Sequence, residues 1–280
     1  MNPYIQSLRL RTLPLSVSGI ILGSGLAGFA KWPVFGLAIC TTLCLQILSN
    51  LCNELGDAQK GTDAAQKGRE AYGLQAGTIT EKQMRTMIGV FIGLCVLFGT
   101  ALVWSAFGTL ICWNSIVFLV LGALAIVGAM TYTLGKHSYG YMGLGDLGVF
   151  LFFGLLSTMG AYYLQICSME WEVFACGAAI GFPCVGVLNL NNIRDMQNDL
   201  VHGKRTFASC LGPQGARQYH TALLAGCLAI FCTYGHYWTL CVTPLWGWHL
   251  WYVWAHTEKL DKQMPILMFS TLIVSILALF

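Results

Sequence analysis

The stretch VFGLAICTTLCLQILSNLCNELGDAQKGTD, residues 34–63, decides how this chain is read. From Val34 to Asn53 it carries no charge, and Asn53, Glu54, Asp57 and Asp63 then fall within eleven positions. A bilayer core takes about 20 consecutive apolar residues to cross as a helix. The run therefore reads as a membrane span that delivers carboxylates to one of its ends.

The rest of the chain agrees. Of 280 residues, 56% are hydrophobic and 10% charged, and mean hydropathy is +0.65. Soluble domains carry about 25% charged residues. So much apolar surface cannot be hidden in one water-soluble core. Barrel strands alternate apolar and polar residues with a period of two, and these runs do not. The reading is an all-α polytopic membrane protein, 1–280 as a single transmembrane domain. Spans are expected at about 13–30, 34–54, 84–106, 109–134, 146–166, 172–193, 219–241, 243–256 and 264–280. The eighth, rich in Trp and His, reads as short or partly interfacial.

Nine spans put the chain ends on opposite sides. The N-terminus and the 2–3, 4–5, 6–7 and 8–9 loops then hold fourteen of the fifteen basic residues, and only Lys31 lies opposite. The positive-inside rule places the fourteen in the cytoplasm and the C-terminus outside it. The net charge of +3 gives no reason to propose nucleic acid. The cysteines fall mostly in apolar runs and read as small hydrophobes rather than a disulfide framework. The six histidines show no zinc spacing, and His236, His249 and His256 sit where interfacial placement explains them. No protein partner is implied.

Two cytoplasmic loops are expected to be long, about 55–83 and 194–218. Each begins with acids at a span's end. Asn53 and Asp57 are four apart and share a helix face. Asn191, Asp195 and Asp199 repeat that spacing in NLNNIRDMQND, 189–199, and a shift of 138 positions maps Asn53 and Asp57 onto Asn191 and Asp195. Acids near bilayer depth are costly and normally face a cavity or a partner. Two such stripes at one mouth supply hard oxygen ligands, suited to Mg²⁺ held jointly with substrate phosphates. Lys60, Arg69, Arg194, Lys204 and Arg205 lie close by in sequence, and a diphosphate needs such cations at its edge. Helix capping is the competing reading, weaker for two matched clusters than for one.

The chain resembles the UbiA superfamily of intramembrane prenyltransferases. The resemblance is carried by RTLPLSVSGIILGS (11–24), SNLCNELGDAQKGTD (49–63), LQAGTIT (74–80), GYMGLGDLGVFLFFG (140–154) and NLNNIRDMQNDLVHGKRTFASCLG (189–212). GLGD and NNIRD…GKRT favour its naphthoate branch. The family implies nine transmembrane helices around a central cavity that opens to lipid. By resemblance, Asn53, Asp57, Asp195 and Asp199 hold Mg²⁺ and a polyprenyl diphosphate, with Asp63 acting from the loop; the four-residue stripe adds Asn191 to the metal-side candidates. Glu54 departs from the family's usual Asp. The implied reaction is polyprenyl transfer to 1,4-dihydroxy-2-naphthoate with loss of CO₂ and diphosphate, in the cytoplasmic membrane. A 4-hydroxybenzoate-type acceptor is the alternative within the class. A cation-coupled transporter is the alternative outside it, disfavoured because the acids sit at span ends rather than the midplane.

Asp146, in GYMGLGDLG, reads either as a group orienting or deprotonating an acceptor hydroxyl or as an N-cap. Lys136 either touches diphosphate or marks the cytoplasmic side. Arg194, one residue from Asp195, is expected to point elsewhere on the helix, towards diphosphate or an acidic partner. Arg11 reads as meeting a lipid headgroup or an anionic substrate group. Tyr132, Tyr139, Tyr141, Tyr162 and Tyr163 are candidates for a carbocation-stabilising wall or for the aromatic belt.

Overall fold

The structure is a computed structural model that describes residues 2–61, 73–136, 138–256 and 260–280. Asp63 and Arg69 lie outside the described residues. Among those described the architecture is all-helical, with one isolated bridge, Met142 to Arg205. A short α1 (Pro3–Ser7) precedes α2 (Leu13–Leu26), α3 (Trp32–Lys60), α4 (Glu81–Phe107) and α5 (Trp113–Thr131). Next, α6 (Gly145–Val149) runs through a π-helical segment, Phe150–Leu156, into α7 (Ser157–Ile166). The chain finishes with α8 (Trp171–Val201), α9 (Phe207–Thr233), α10 (Thr243–Ala255) and α11 (Gln263–Leu277).

Local sequence sets these ends. Pro33 opens α3, where a missing N–H costs nothing, and Gly61 closes it in the left-handed region at φ 71°. Capping boxes start α4 at Thr80 with Gln83 and α9 at Thr206 with Ser209, each satisfying otherwise unpaired N–H groups. Lys31 precedes α3 and donates from Nζ to the Ala106 carbonyl at 3.0 Å, in the last turn of α4. Lys31, set apart by the sequence analysis, thus serves a helix end.

Each of the nine predicted spans overlaps a helix. Six segments are long and apolar enough to cross a membrane by themselves: α3, α4, α5, the α6–α7 rod, α8 and Leu260–Leu277. Of the other three, α2 has 14 residues and α10 has 13, while α9 begins with a polar half and bends where Gly212 adopts φ 72° before Pro213.

The predicted 194–218 loop is corrected. Helix α8 runs on to Val201 and α9 starts at Phe207, so the connection is only 202–206. The polar residues misread as loop form the water-facing ends of two long helices.

Helix α8 is the hub, with 72% of its apolar window buried against 11% for the peripheral α5. It packs on α9, α11 and the π segment, while α3 packs on α4 and α2 on α7. Close backbone approach makes this possible. A Cβ on Gly154 would lie 2.6 Å from the Gly181 Cα, and one on Gly23 would lie 2.1 Å from the Thr158 carbonyl oxygen. Small residues let membrane helices touch in this way, where no hydrophobic drive between helices exists.

Candidate functional site

The last turns of α3 and α8 face each other across a polar cavity of about 120 Å³. Asn53 and Asp57 line it from α3; Asn191, Asp195 and Asp199 line it from α8. The two four-residue stripes therefore meet in space, although 138 positions separate them in the chain. Arg9, Asn53, Tyr132, Leu188, Asn191 and Arg194 are shared with a second, mostly apolar cavity of about 370 Å³. Phe118, Phe152, Phe153 and Leu156 help to wall that larger space, the last three of them presented by the π segment.

Each polar group is held. Thr133 donates from Oγ1 to Asn53 Oδ1 at 2.5 Å, and Tyr141 donates from its hydroxyl to Asp57 Oδ1 at 2.8 Å. Lys60 donates to the Thr133 carbonyl at 2.7 Å and to the Ser138 hydroxyl. Its Nζ also sits 3.7 Å from the centroid of the Tyr141 ring. On α8, Arg194 curls back on its neighbour: Nε reaches Asp195 Oδ1 at 2.7 Å and Nη2 reaches Oδ2 at 2.5 Å. Its Nη1 donates to Asp261 Oδ1 at 2.6 Å. Lys204 Nζ is 3.1 Å from Asp199 Oδ2, in a pair whose carboxylate is 3% exposed. The expectation that Arg194 points away from Asp195 is corrected, because its long side chain folds over one residue to fork the carboxylate.

Other predicted residues stand apart. Lys136 and Arg205 are exposed and line neither cavity, though the Arg205 N–H donates to the Tyr141 carbonyl at 3.1 Å. Asp146 lies in the first turn of α6, where Leu144 holds the N-cap position, so it is not the cap. It pairs with the Tyr219 hydroxyl and lines neither cavity. Glu54 is fully buried and faces away from both stripes; its Oε1 accepts from the Ser7 hydroxyl at 3.2 Å and the Leu74 N–H at 2.9 Å. It ties α1 and the chain before α4 to α3. His249 is corrected from interfacial to fully buried, with Nε2 3.0 Å from His220 Nε2 and Nδ1 2.8 Å from Gln263 Oε1.

Among the tyrosines, Tyr132 and Tyr139 line the larger cavity and Tyr141 the polar one. Burial pushes the Tyr139 phenol up to about 12, so it stays a neutral donor to the Gly128 carbonyl at 3.1 Å. Tyr162 instead donates to Glu170 Oε1, and Tyr163 stacks on Phe118.

Sequence reasoning missed Arg9, Gln46, Asn50 and Asp261. Arg9 lines both cavities. Asn50 Nδ2 donates to the Leu8 carbonyl at 3.0 Å and to Thr12 Oγ1 at 3.1 Å, and Gln46 joins it. The signal was present: Gln46, Asn50, Asn53 and Asp57 follow one helical stripe, of which only the last two members were used. Asp261 gave none, since its partner Arg194 is distant in sequence.

The donor set is hard oxygen throughout, the chemistry Mg²⁺ prefers. Among the described residues no three acidic, His or Cys side chains form a ready-made metal cage. Facing carboxylates and amides of this kind suit an ion that shares its coordination with substrate oxygens.

Helices bundled round an apolar cavity, with a polar, acid- and cation-lined mouth, define an integral membrane enzyme for a substrate with a greasy tail and an anionic head. The chain belongs to the UbiA prenyltransferase family, whose model matches residues 13–276. It is therefore a prenyltransferase. It is 42% identical over 251 residues to 1,4-dihydroxy-2-naphthoate octaprenyltransferase of Escherichia coli K12, covering 88% of this chain and 79% of that one. The Haemophilus influenzae protein of the same name is 38% identical over 230 residues, covering 80% and 74%. Among solved structures, a UbiA homolog from Archaeoglobus fulgidus bound to GPP and Mg²⁺ superposes with a TM-score of 0.69 over 99% of this chain and 96% of that one. Its 14% identity makes this a likeness of fold.

Proposed function

We propose that this single-domain enzyme transfers a polyprenyl group from a polyprenyl diphosphate to 1,4-dihydroxy-2-naphthoate, releasing diphosphate and CO₂ and giving demethylmenaquinol. The observation that carries the reading is the junction of the two cavities. The polar one fits a diphosphate with its cations, and the apolar one opens from it and fits the prenyl chain and an aromatic ring. The relatives' names supply the acceptor.

Asn53, Asp57, Asn191, Asp195 and Asp199 would hold Mg²⁺, with Asp63 joining from the chain beyond α3. Bound there, Mg²⁺ supplies positive charge to the leaving diphosphate. Arg194 and Lys204 line the same cavity and Lys60 sits on the ring of Tyr141 at its wall; all three can offer their charge to diphosphate oxygens. Arg69, which lies outside the described residues, and the exposed Lys136 and Arg205 would meet the anion from outside the cavity. Arg9 and Arg11 line the cavity on the acceptor side and can face an anionic ring substituent. Asp146, read from the sequence as orienting or deprotonating an acceptor hydroxyl, pairs with Tyr219, and neither residue lines a cavity.

The prenyl C1–O bond breaks, and the ring carbon bearing the carboxylate attacks C1. The adduct has no ring proton to lose at that carbon. Loss of CO₂ returns the bonding pair to the ring, restores aromaticity and makes the step hard to reverse. The test supplies 1,4-dihydroxy-2-naphthoate labelled at the carboxyl carbon to purified enzyme with prenyl diphosphate and Mg²⁺. Label should leave as gas. Prenylated product that keeps the label, or turnover only with 4-hydroxybenzoate, overturns the acceptor assignment.

The site mouth faces the cytoplasm in this reading, in the inner membrane, with the C-terminus outside. A periplasm-active reporter fused after Phe280 should be active, and one inserted near His202 should not. The positive-inside split supports this, and it is strengthened by the lone exception, Lys31, being a helix-end donor. An inactive, expressed C-terminal fusion would mean a span count wrong by one.

A further inference from the structure

We propose that Tyr141 is a positioning residue that sets the metal-side carboxylate and the diphosphate-side cations with one side chain. This rests on the reading above, that Mg²⁺ and diphosphate occupy the polar cavity. The hydroxyl of Tyr141 donates to Asp57 Oδ1 at 2.8 Å. Its ring lies 3.7 Å from Lys60 Nζ and 5.5 Å from Lys204 Nζ. Its carbonyl accepts from the Arg205 N–H at 3.1 Å, next to the Met142–Arg205 bridge. A side chain in the connection after α5 thus touches the end of α3 and the turn between α8 and α9 at once.

The chemistry of a phenol gives this arrangement its use. A neutral O–H orients a carboxylate without adding a charge of its own, so the group that aims Asp57 does not compete with a cation. Arginine at the same place would neutralise the carboxylate, as Arg194 does Asp195. The ring face attracts ammonium groups through its quadrupole and holds Lys60 near Lys204, which is also paired with Asp199. An arriving diphosphate then meets cations already gathered at one place. Thr133, which binds Asn53 and accepts from Lys60, braces the same strap.

The experiment uses the full-length protein in nanodiscs, with Mn²⁺ as a paramagnetic probe and inorganic diphosphate as the anion. Tyr141→Phe keeps the ring and removes the hydroxyl; Tyr141→Leu removes both. Loss of one charge-assisted hydrogen bond should weaken Mn²⁺ binding by about tenfold in Tyr141→Phe, while diphosphate affinity at saturating Mn²⁺ changes less than about twofold. Tyr141→Leu should show the same metal defect and a further loss of diphosphate affinity of about fivefold to tenfold. Wild-type Mn²⁺ affinity in Tyr141→Phe, with Asp57→Asn defective, overturns the positioning role alone. Equal diphosphate affinity in Tyr141→Phe and Tyr141→Leu overturns the ring's part in it. Unchanged Mn²⁺ binding in Asp57→Asn overturns the site reading and this proposal together. Tyr141→Phe is nearly isosteric, so its result stands even where Tyr141→Leu fails to fold.

Discussion

On α3 the Asp57 carboxylate rests against a phenol, whereas on α8 Asp195 and Asp199 rest against Arg194 and Lys204. The spacing of the two clusters is the same, and the state of their charge is not. The α3 cluster is oriented by the neutral donors Thr133 and Tyr141, with Lys60 of its own helix as the nearby cation. The α8 cluster is balanced by cations from its own helix and from the turn that follows. A buried carboxylate without a cation is costly, so Asp199 with 3% exposure needs its lysine more than the half-buried Asp57 does. In the proposed reaction the difference would divide the work: α3 would offer charge to a metal, and α8 both carboxylates and the cations that a diphosphate can recruit.

The largest expected effects come from removing charge on either side. Asp57→Asn and Asp195→Asn should each lower prenyl transfer by more than about 100-fold, the scale seen when a group stabilising transition-state charge is lost. EDTA should silence the wild type, and added Mg²⁺ should restore it. The comparison sharpens in the melting temperature. Asp57→Asn should leave it nearly unchanged, while Asp195→Asn should lower it, since Arg194 is only 11% exposed and loses its forked partner. Near-normal turnover in either variant breaks the metal-site assignment.

A smaller effect is expected from Arg194→Gln. Without the fork, the KM for prenyl diphosphate should rise by about tenfold, the equivalent of one charge-assisted hydrogen bond. Asp261 should also lose its anchor and free the start of α11. A lower melting temperature with KM unmoved would make Arg194 purely structural and undo the division drawn between the helices.

The smallest effect concerns the support of α3. Asn50→Ala removes bonds to the Leu8 carbonyl and the Thr12 hydroxyl, worth about 1 kcal/mol in stability. Thermal unfolding should shift down by about 2–4 °C. Transfer should fall only modestly, since the chain carrying Arg9 loosens without losing a charge. Transfer falling as far as in Asp57→Asn would place Asn50 itself among the groups that touch substrate.

The sequence reached the site further than it reached the contacts within it. Asn53, Asp57, Asn191, Asp195 and Asp199 were readable because helical spacing places i and i+4 on one face and because acids are rarely kept beside spans. Their cations were read by proximity in sequence, and that rule failed in part. Arg194 and Lys204 line the cavity and Lys60 sits on the Tyr141 ring at its wall, while Lys136 and Arg205 are exposed. Arg9 and Tyr141 come from segments that no periodicity connects to either cluster. The 194–218 region was misread as a loop because polar composition marks contact with water and does not mark loss of helix. His249 was misplaced for a related reason: a histidine in a Trp-rich helix end looks interfacial until a second histidine is found against it.

The sequence by itself determined that this chain crosses a membrane as helices, that two acidic stripes end spans on one side, and which residue types wait there for a cation. Apolar length, charge asymmetry and helical period are local properties, legible along a single strand of letters. Only the tertiary structure decided which carboxylate meets a phenol and which meets an arginine, that Glu54 turns away to bind Ser7 and Leu74, and that a polar cavity opens into an apolar one. Those outcomes depend on the close approach of α2, α7 and α8 at glycines and on the path of the 133–141 strap. Long side chains then choose among neighbours by distance and direction, which sequence separation does not encode.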